Sequence, residues 1–272
     1  LELGLVDPKT KINTKGPIRI GGHKINDYRS NGPELPVWEI ITESSNLGTA
    51  RIAKMIGPEK QREFLSSLGF SKPTTIEMIE ANGGKPLLPK RWNELETMTI
   101  SYGHGLSATP LHLATGYATL ANGGRLINPT LLQEVKPVLG PRVISKEVAE
   151  NSLAMLRGVV TGGTASLADV DGYFVGGKTG TADKPSSQGG YDKEKNITNF
   201  ASIFPIDEPK YVLVVTLDEA QDTSGPEPKR TAGWTAVPVS AEIIARVAPL
   251  LGLRPKFDNH STIGITLSNW QE

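Results

Sequence analysis

The chain has 272 residues, room for one large domain or two small ones; 38% are hydrophobic and a further 29 are glycine, so a core of ordinary size can be buried. Lys and Arg total 29, and so do Asp and Glu, so no net charge draws the whole chain to nucleic acid or anionic lipid. With no cysteine, disulfides, thiolate metal sites and a cysteine nucleophile are excluded.

The chain opens LELGLVDP, without Met. Leu1 to Leu5 reads as the tail of a helix ending near Gly4, and further sequence is expected upstream. Residues 7–36 are polar and rich in Gly, Pro and Lys, and read as loops with short strands at PIRIGG and HKIND. Residues 37–57 look helical with an interruption at Ser44-Ser45-Asn46; Gly57-Pro58 stops the run, and EKQREFLSSLG starts a short helix. Residues 71–96 are irregular. In TPLHLATGYATLANGG, Thr109 suits an N-cap, Pro110 the first helical position and Gly123-Gly124 the stop, with Leu111, Ala114, Ala118 and Ala121 at helical spacing. A further amphipathic helix is expected over 146–161, capped by Ser145, with Val148, Leu153, Leu156 and Val160 on its apolar face.

After Gly172 the pattern turns to strand. YFVGGKTGTA, FASIFPI and YVLVVTLD are β-rich runs, the first two joined by a polar loop, DKPSSQGGYDKEKNIT. Links this short hold no crossover helix, so the three are antiparallel neighbours. AVPVSAEIIARVAPLLGL then reads as a helix to about Leu253, and 254–272 as a tail. No internal repeat is evident, no apolar run reads as a membrane span, and His23, His104, His112 and His260 lack metal-ligand spacing.

Residues 172–179, GYFVGGKT, fit the phosphate-loop pattern G-x-x-x-x-G-K-[ST]. That loop needs a buried strand before its first glycine and a helix starting at the lysine. SLADVD is a poor strand, and TGTADKPSSQGG does not start a helix. VVTLDE at 214–219 resembles, weakly, the strand and acid of a nucleotide hydrolase. The same stretch carries K-T-G, a mark of penicillin-binding proteins and serine β-lactamases. On an exposed strand, Lys178 supplies positive charge, Thr179 and Thr181 hydroxyl donors for a carboxylate, and Gly180 a close approach for a substrate backbone. Alone, K-T-G reads more simply as an edge strand with a solvated lysine. Ser44-Ser45-Asn46 fits S-x-N, a hydroxyl and an amide able to face a cleft if the three residues form a turn. Alone, it reads more simply as Asn46 capping LGTARIAKMIG.

Order and separation add weight. LELG followed by a Pro/Thr/Gly-rich stretch and GGHKIND, then SSNLGTARIA, SYGHGLSATPLHLATGYATLANGG, VVTGGTA and GGKTGTADK resemble, over about residues 1–253, the transpeptidase domain of class B penicillin-binding proteins of the cell-division type. The resemblance implies an α+β fold, a five-stranded antiparallel sheet between helical layers with an all-helical lobe. It implies D,D-transpeptidation of peptidoglycan stem peptides through a serine acyl-enzyme, β-lactam binding, and no metal or organic cofactor. It also implies an outer-face position on the cytoplasmic membrane, with membrane-bound cell-wall synthesis and division proteins as partners and no nucleic acid. Residue by residue, Ser44 would pass a proton and Asn46 hold the substrate amide. Lys178, Thr179, Gly180 and Thr181 would bind the carboxylate end of substrate or penicillin, with the Thr181 N–H in the oxyanion hole. The family nucleophile lies in S-x-x-K, and no lysine of this chain has Ser three positions before it. The nucleophile is therefore expected upstream of Leu1, and the 272 residues alone are expected to be inactive. A class A β-lactamase would need a deacylating Glu between the two motifs, which no segment clearly supplies. A D,D-carboxypeptidase, a penicillin-sensing domain and a catalytically silent scaffold share the motifs.

Overall fold

The computed structural model describes residues 1–133, 138–187, 189–257 and 270. Two compact units are present: the first holds Leu1–Met155 and takes in Trp270, and the second begins at Leu156.

In the first unit Leu1 to Leu5 form a turn, closed by the Gly4 N–H on the Leu1 carbonyl at 2.8 Å, where a helix tail was expected. Strands β1 (Lys11–Asn13) and β4 (Glu34–Pro36) pair antiparallel, with Ile12 opposite Leu35. Both side chains join Val6, Val37, Ile40 and Met155 in one buried cluster, against which Trp270 packs. Between them, β2 (Ile18–Ile20) and β3 (His23–Ile25) form the hairpin expected from PIRIGG and HKIND, its turn made by Gly21 and Gly22 at φ 53° and 80°.

Helices α1 (Val37–Thr42) and α2 (Asn46–Ile56) follow, interrupted where the sequence placed the break, and α3 spans Pro58–Ser67. Within the irregular stretch one further helix forms, α4 (Glu94–Ile100), because Asn93 and Glu96 make a reciprocal capping box. Helix α5 (Pro110–Ala121) starts at Thr109, whose hydroxyl accepts from the His112 N–H. At its end Gly124 has φ 86°, and a Cβ there would lie 1.9 Å from the Ile144 carbonyl. Strands β5 (Arg125–Ile127) and β6 (Leu139–Arg142) pair next, and α6 (Lys146–Thr161) is capped by Ser145 as expected.

The buried faces of α5 and α6 differ from the sequence reading. Helix α5 buries His112 and Thr119, both hydrogen-bonded: the His112 ring bridges the Thr109 hydroxyl (2.7 Å) and the Lys72 carbonyl (2.8 Å), and Thr119 donates to Thr115 O. Its apolar residues Leu113, Tyr117 and Leu120 instead line an apolar cavity of about 710 Å³, together with Ile52, Phe64 and Val148. Burial there raises the pKa of the Tyr117 phenol. Helix α6 buries Ala149, Ala154, Met155 and Val159 along with the expected Leu156 and Val160, while Val148 and Leu153 are only partly covered.

The second unit is built on one antiparallel sheet, β7 (Gly176–Pro185), β8 (Tyr191–Phe204) and β9 (Tyr211–Asp218), in that spatial order. These are the three antiparallel neighbours expected from the short links; the resemblance implies a sheet of five strands, and among the described residues this sheet has three. The stretch DKPSSQGGYDKEKNIT, expected as loop, is mostly strand. Pairing continues past Asp183–Asn196, through a register shift, to Pro185–Tyr191. Charged residues satisfy a ladder as well as apolar ones do when their side chains reach water. Helix α7 (Ala236–Leu250) packs on β8 and β9, and Val175, Phe200, Ile203, Val237 and Ile244 are fully buried. Residues 254–257 of the expected tail are docked here: the Lys256 N–H donates to Gly172 O (2.9 Å) and its ammonium pairs with Asp207 (2.6 Å). The rest of the tail, Trp270 aside, lies outside the described residues, as does His260.

Candidate active site

In the first unit, Ser44-Ser45-Asn46 forms the turn between α1 and α2. Ser44 is exposed in the left-handed region at φ 59°, uncommon for a residue with a side chain and a mark of a backbone held by its surroundings. The holding is done by Ser45, only 1% exposed, and by Asp27. The Ser45 hydroxyl donates to Asp27 Oδ2 (2.7 Å) and accepts from the Gly48 N–H (3.0 Å); the Leu47 N–H donates to Asp27 Oδ1 (2.8 Å). Ser45 is thus the N-cap of α2. This corrects the simpler sequence reading, which gave that place to Asn46. A first-turn N–H needs an acceptor, and the central residue of S-x-N supplies it. Asn46 is the first helical residue, and its amide donates to Asn26 O (3.1 Å).

In the second unit, Lys178 to Thr181 lie on β7, the outer strand of the described sheet. An outer strand presents every second N–H and C=O away from its partner, ready for an extended ligand. Strand β7 can lie close on β8 only because Gly177 lacks a side chain: a Cβ there would be 2.5 Å from the Ala201 carbonyl. At Gly180 a Cβ would make only ordinary contact, 3.8 Å from Asn199 Cβ. The fold does not need glycine at 180.

Burial lowers the pKa of Lys178 from its usual 10.5 to about 8. Its ammonium donates to the Thr179 carbonyl (3.3 Å) and reaches the Thr179 hydroxyl at 3.5 Å. Thr179 and Thr181, two apart, share one face of the strand. The Thr179 hydroxyl bonds to that of Thr164 (2.8 Å), and the Thr181 hydroxyl accepts from the Ala232 N–H (3.0 Å). The cluster combines a cation, two oriented hydroxyls and an open strand edge, which is the chemistry of a carboxylate site on a peptide terminus.

The phosphate-loop alternative does not survive this geometry. Gly176–Pro185 is continuous strand, so no helix begins at Lys178. The acids after VVTL, Asp218 and Glu219, both pair with Lys184.

Comparison with known proteins gives the family. Residues 1–244 match the family model described as the penicillin binding protein transpeptidase domain. The chain belongs to the penicillin-binding protein transpeptidase family. Among its relatives is a Caulobacter vibrioides protein named "Probable peptidoglycan D,D-transpeptidase FtsI", 32% identical over 94% of this chain and 45% of that protein. Among solved structures, the apo transpeptidase domain of Burkholderia pseudomallei penicillin-binding protein 3 superposes with a TM-score of 0.84 at 33% identity, covering 94% of this chain and 77% of that one. Penicillin-binding protein 3 of Mycobacterium tuberculosis complexed with ampicillin gives 0.81 at 27% identity, covering 96% and 61%. The likeness is to the class B, FtsI type, and the α/β fold with antiparallel sheets is that of these transpeptidase domains. The chain spans less than half the length of the Caulobacter relative. No helix among the described residues is long and apolar enough to cross a membrane.

Sequence reasoning missed Asp27, Thr164 and Ala232. Asp27 and Thr164 stand in GGHKIND and VVTGGTA, stretches that carried the family likeness, but nothing in their spacing tied them to the motifs they hold.

Proposed function

We propose that the protein is a peptidoglycan D,D-transpeptidase of the division type, with residues 1–253 belonging to its penicillin-binding domain. The observation that carries this is the cation-and-hydroxyl cluster of Lys178, Thr179 and Thr181 on an open strand edge, suited to the carboxylate terminus of a stem peptide. In this reading a serine supplied by sequence outside Leu1–Glu272 attacks the carbonyl of the D-Ala-D-Ala amide. An acyl-oxygen bond forms, the amide C–N bond breaks, and the proton from the serine reaches the departing amine by way of Ser44. The Thr181 N–H helps to hold the oxyanion, and Asn46 holds the substrate amide. An amine from a neighbouring stem peptide then displaces the serine, and β-lactams acylate the same serine. The protein would act at the cytoplasmic membrane, with this domain on its outer side, beside membrane-bound partners in wall synthesis and division. The Caulobacter relative's name and the ampicillin complex of the Mycobacterium tuberculosis protein support this reading.

The test is acylation of the protein carrying its native upstream sequence by a penicillin, read by intact mass and then peptide mapping. One adduct on an upstream serine is expected, and none on Leu1–Glu272 alone. An adduct on a serine within these residues would overturn the assignment of the nucleophile. No adduct on the folded, extended protein would favour a silent scaffold.

A further inference from the structure

We infer that Thr164 is a positioning residue for the carboxylate site: it fills one lone pair of the Thr179 hydroxyl and so turns that hydroxyl's single hydrogen toward the ligand. The inference rests on the transpeptidase reading above.

Thr164 follows α6 in the run Thr161-Gly-Gly-Thr-Ala165, and its backbone has little freedom. Ala165 and Ala168, on either side of the next turn, are fully buried, and the Ala165 N–H donates to Val159 O at 3.0 Å. The Thr164 carbonyl lies against Gly233, where a Cβ would come within 2.9 Å of it. A side chain mounted on so fixed a backbone can set the orientation of its partner. That partner is Thr179 Oγ1, 2.8 Å away.

The hydroxyl of Thr179 has one hydrogen and two lone pairs. The Lys178 ammonium, 3.5 Å from the Thr179 oxygen, can only donate, so the side of the oxygen facing it acts as an acceptor. If Thr164 also donates, both lone pairs are used and the Thr179 hydrogen points out of the cluster. If Thr179 donated to Thr164 instead, its hydrogen would be spent inside the protein. An incoming carboxylate, which accepts and cannot donate, selects the first arrangement. Thr181 shows the same design: its hydroxyl accepts from the Ala232 N–H, leaving its hydrogen for a ligand. Two hydroxyls on one face of β7 are thus each held by an outside donor and each keep one hydrogen for the same anion.

The test uses the protein with its native upstream sequence, and compares acylation rate constants for benzylpenicillin and for its methyl ester, which lacks the anionic carboxylate. Thr164→Val is expected to slow acylation by benzylpenicillin about tenfold and by the ester less than about twofold, while Thr164→Ser restores the wild-type ratio. In a Thr179→Val background, Thr164→Val is expected to change the ratio no further. Equal slowing of both ligands would make Thr164 merely structural and overturn the inference, as would no slowing of either. Should Thr164→Val fail to fold, as read by circular dichroism, Thr164→Ala carries the same comparison. Wild-type protein that is not acylated at all would bring down the transpeptidase reading itself, an outcome distinct from a wild type that is acylated with an unchanged ratio in the variants.

Discussion

The Ser44–Asn46 turn and the Lys178–Thr181 strand both display polar groups, but they are shaped by different means. The turn takes its form from a carboxylate 18 residues before Ser45, which accepts from one hydroxyl and one backbone N–H. The strand takes its form from pairing with β8 and from a side chain that is absent at Gly177. A turn between two helices has no ladder to hold it, so its conformation must be specified by hydrogen bonds from elsewhere. A strand inherits its conformation from the ladder and needs only room. Mutations should therefore act through lost hydrogen bonds at the turn and through added volume at the strand.

The largest effect is expected from adding one methyl to β7. Gly177→Ala sets a Cβ against a backbone carbonyl that cannot give way, and should cost about 3 kcal/mol. Gly180→Ala, three residues on, should cost the fold less than about 1 kcal/mol, yet slow acylation by penicillin at least about tenfold, because the methyl occupies the approach of the ligand backbone. Thermal melts beside acylation rates separate the two. If Gly180→Ala acylated at the wild-type rate, the ligand would not lie along this strand.

At the turn, Asp27→Ala leaves the buried Ser45 hydroxyl and the Leu47 N–H without their acceptor. A loss of about 2 kcal/mol is expected, seen as a fall of roughly 4–8 °C in Tm for a chain of this size. Asp27→Asn keeps one acceptor and should fall between the two. A Tm unchanged in Asp27→Ala would mean that the turn holds itself.

The smallest effect on stability is one of pH, and it divides stability from binding. The pKa of Lys178 is lowered to about 8 by burial, whereas an unfolded lysine titrates near 10.5. Between these values the unfolded chain binds more protons than the folded one, so this residue's contribution makes stability rise with pH across that window. Binding runs the other way: the ammonium that attracts a carboxylate is lost above about pH 8. Acylation by benzylpenicillin should fall by up to about tenfold per pH unit there, and acylation by the methyl ester much less. Equal pH profiles for the two ligands would remove Lys178 from carboxylate recognition.

Much of the frame was legible because it is local. The break at Ser44-Ser45-Asn46, the Thr109 cap with Pro110, the Ser145 cap and the three antiparallel strands all follow from residue types at short spacing. Errors arose where the environment decides. The apolar stripe of α5 was drawn through Leu111 and Ala118, but Leu113, Tyr117 and Leu120 face the cavity, while two satisfied polar residues are buried. A helical repeat fixes which residues share a face, not which face meets the core. The extension of β7 and β8 through a charged stretch was missed because charged residues give no alternation signal.

By itself, the sequence determined the family, the order of its motifs, the presence of K-T-G and S-x-N, and the absence of S-x-x-K from these 272 residues. Each of these is a property of residue identity along the chain. Only the tertiary structure decided that Ser45 rather than Asn46 caps α2, that Asp27 holds the turn, that Gly177 is required where Gly180 is not, and that Thr164 and Ala232 meet the two threonines of β7. Apart from the cap itself, these are contacts between residues 15 to 51 positions apart, set by how the elements pack, and no short-range spacing encodes them.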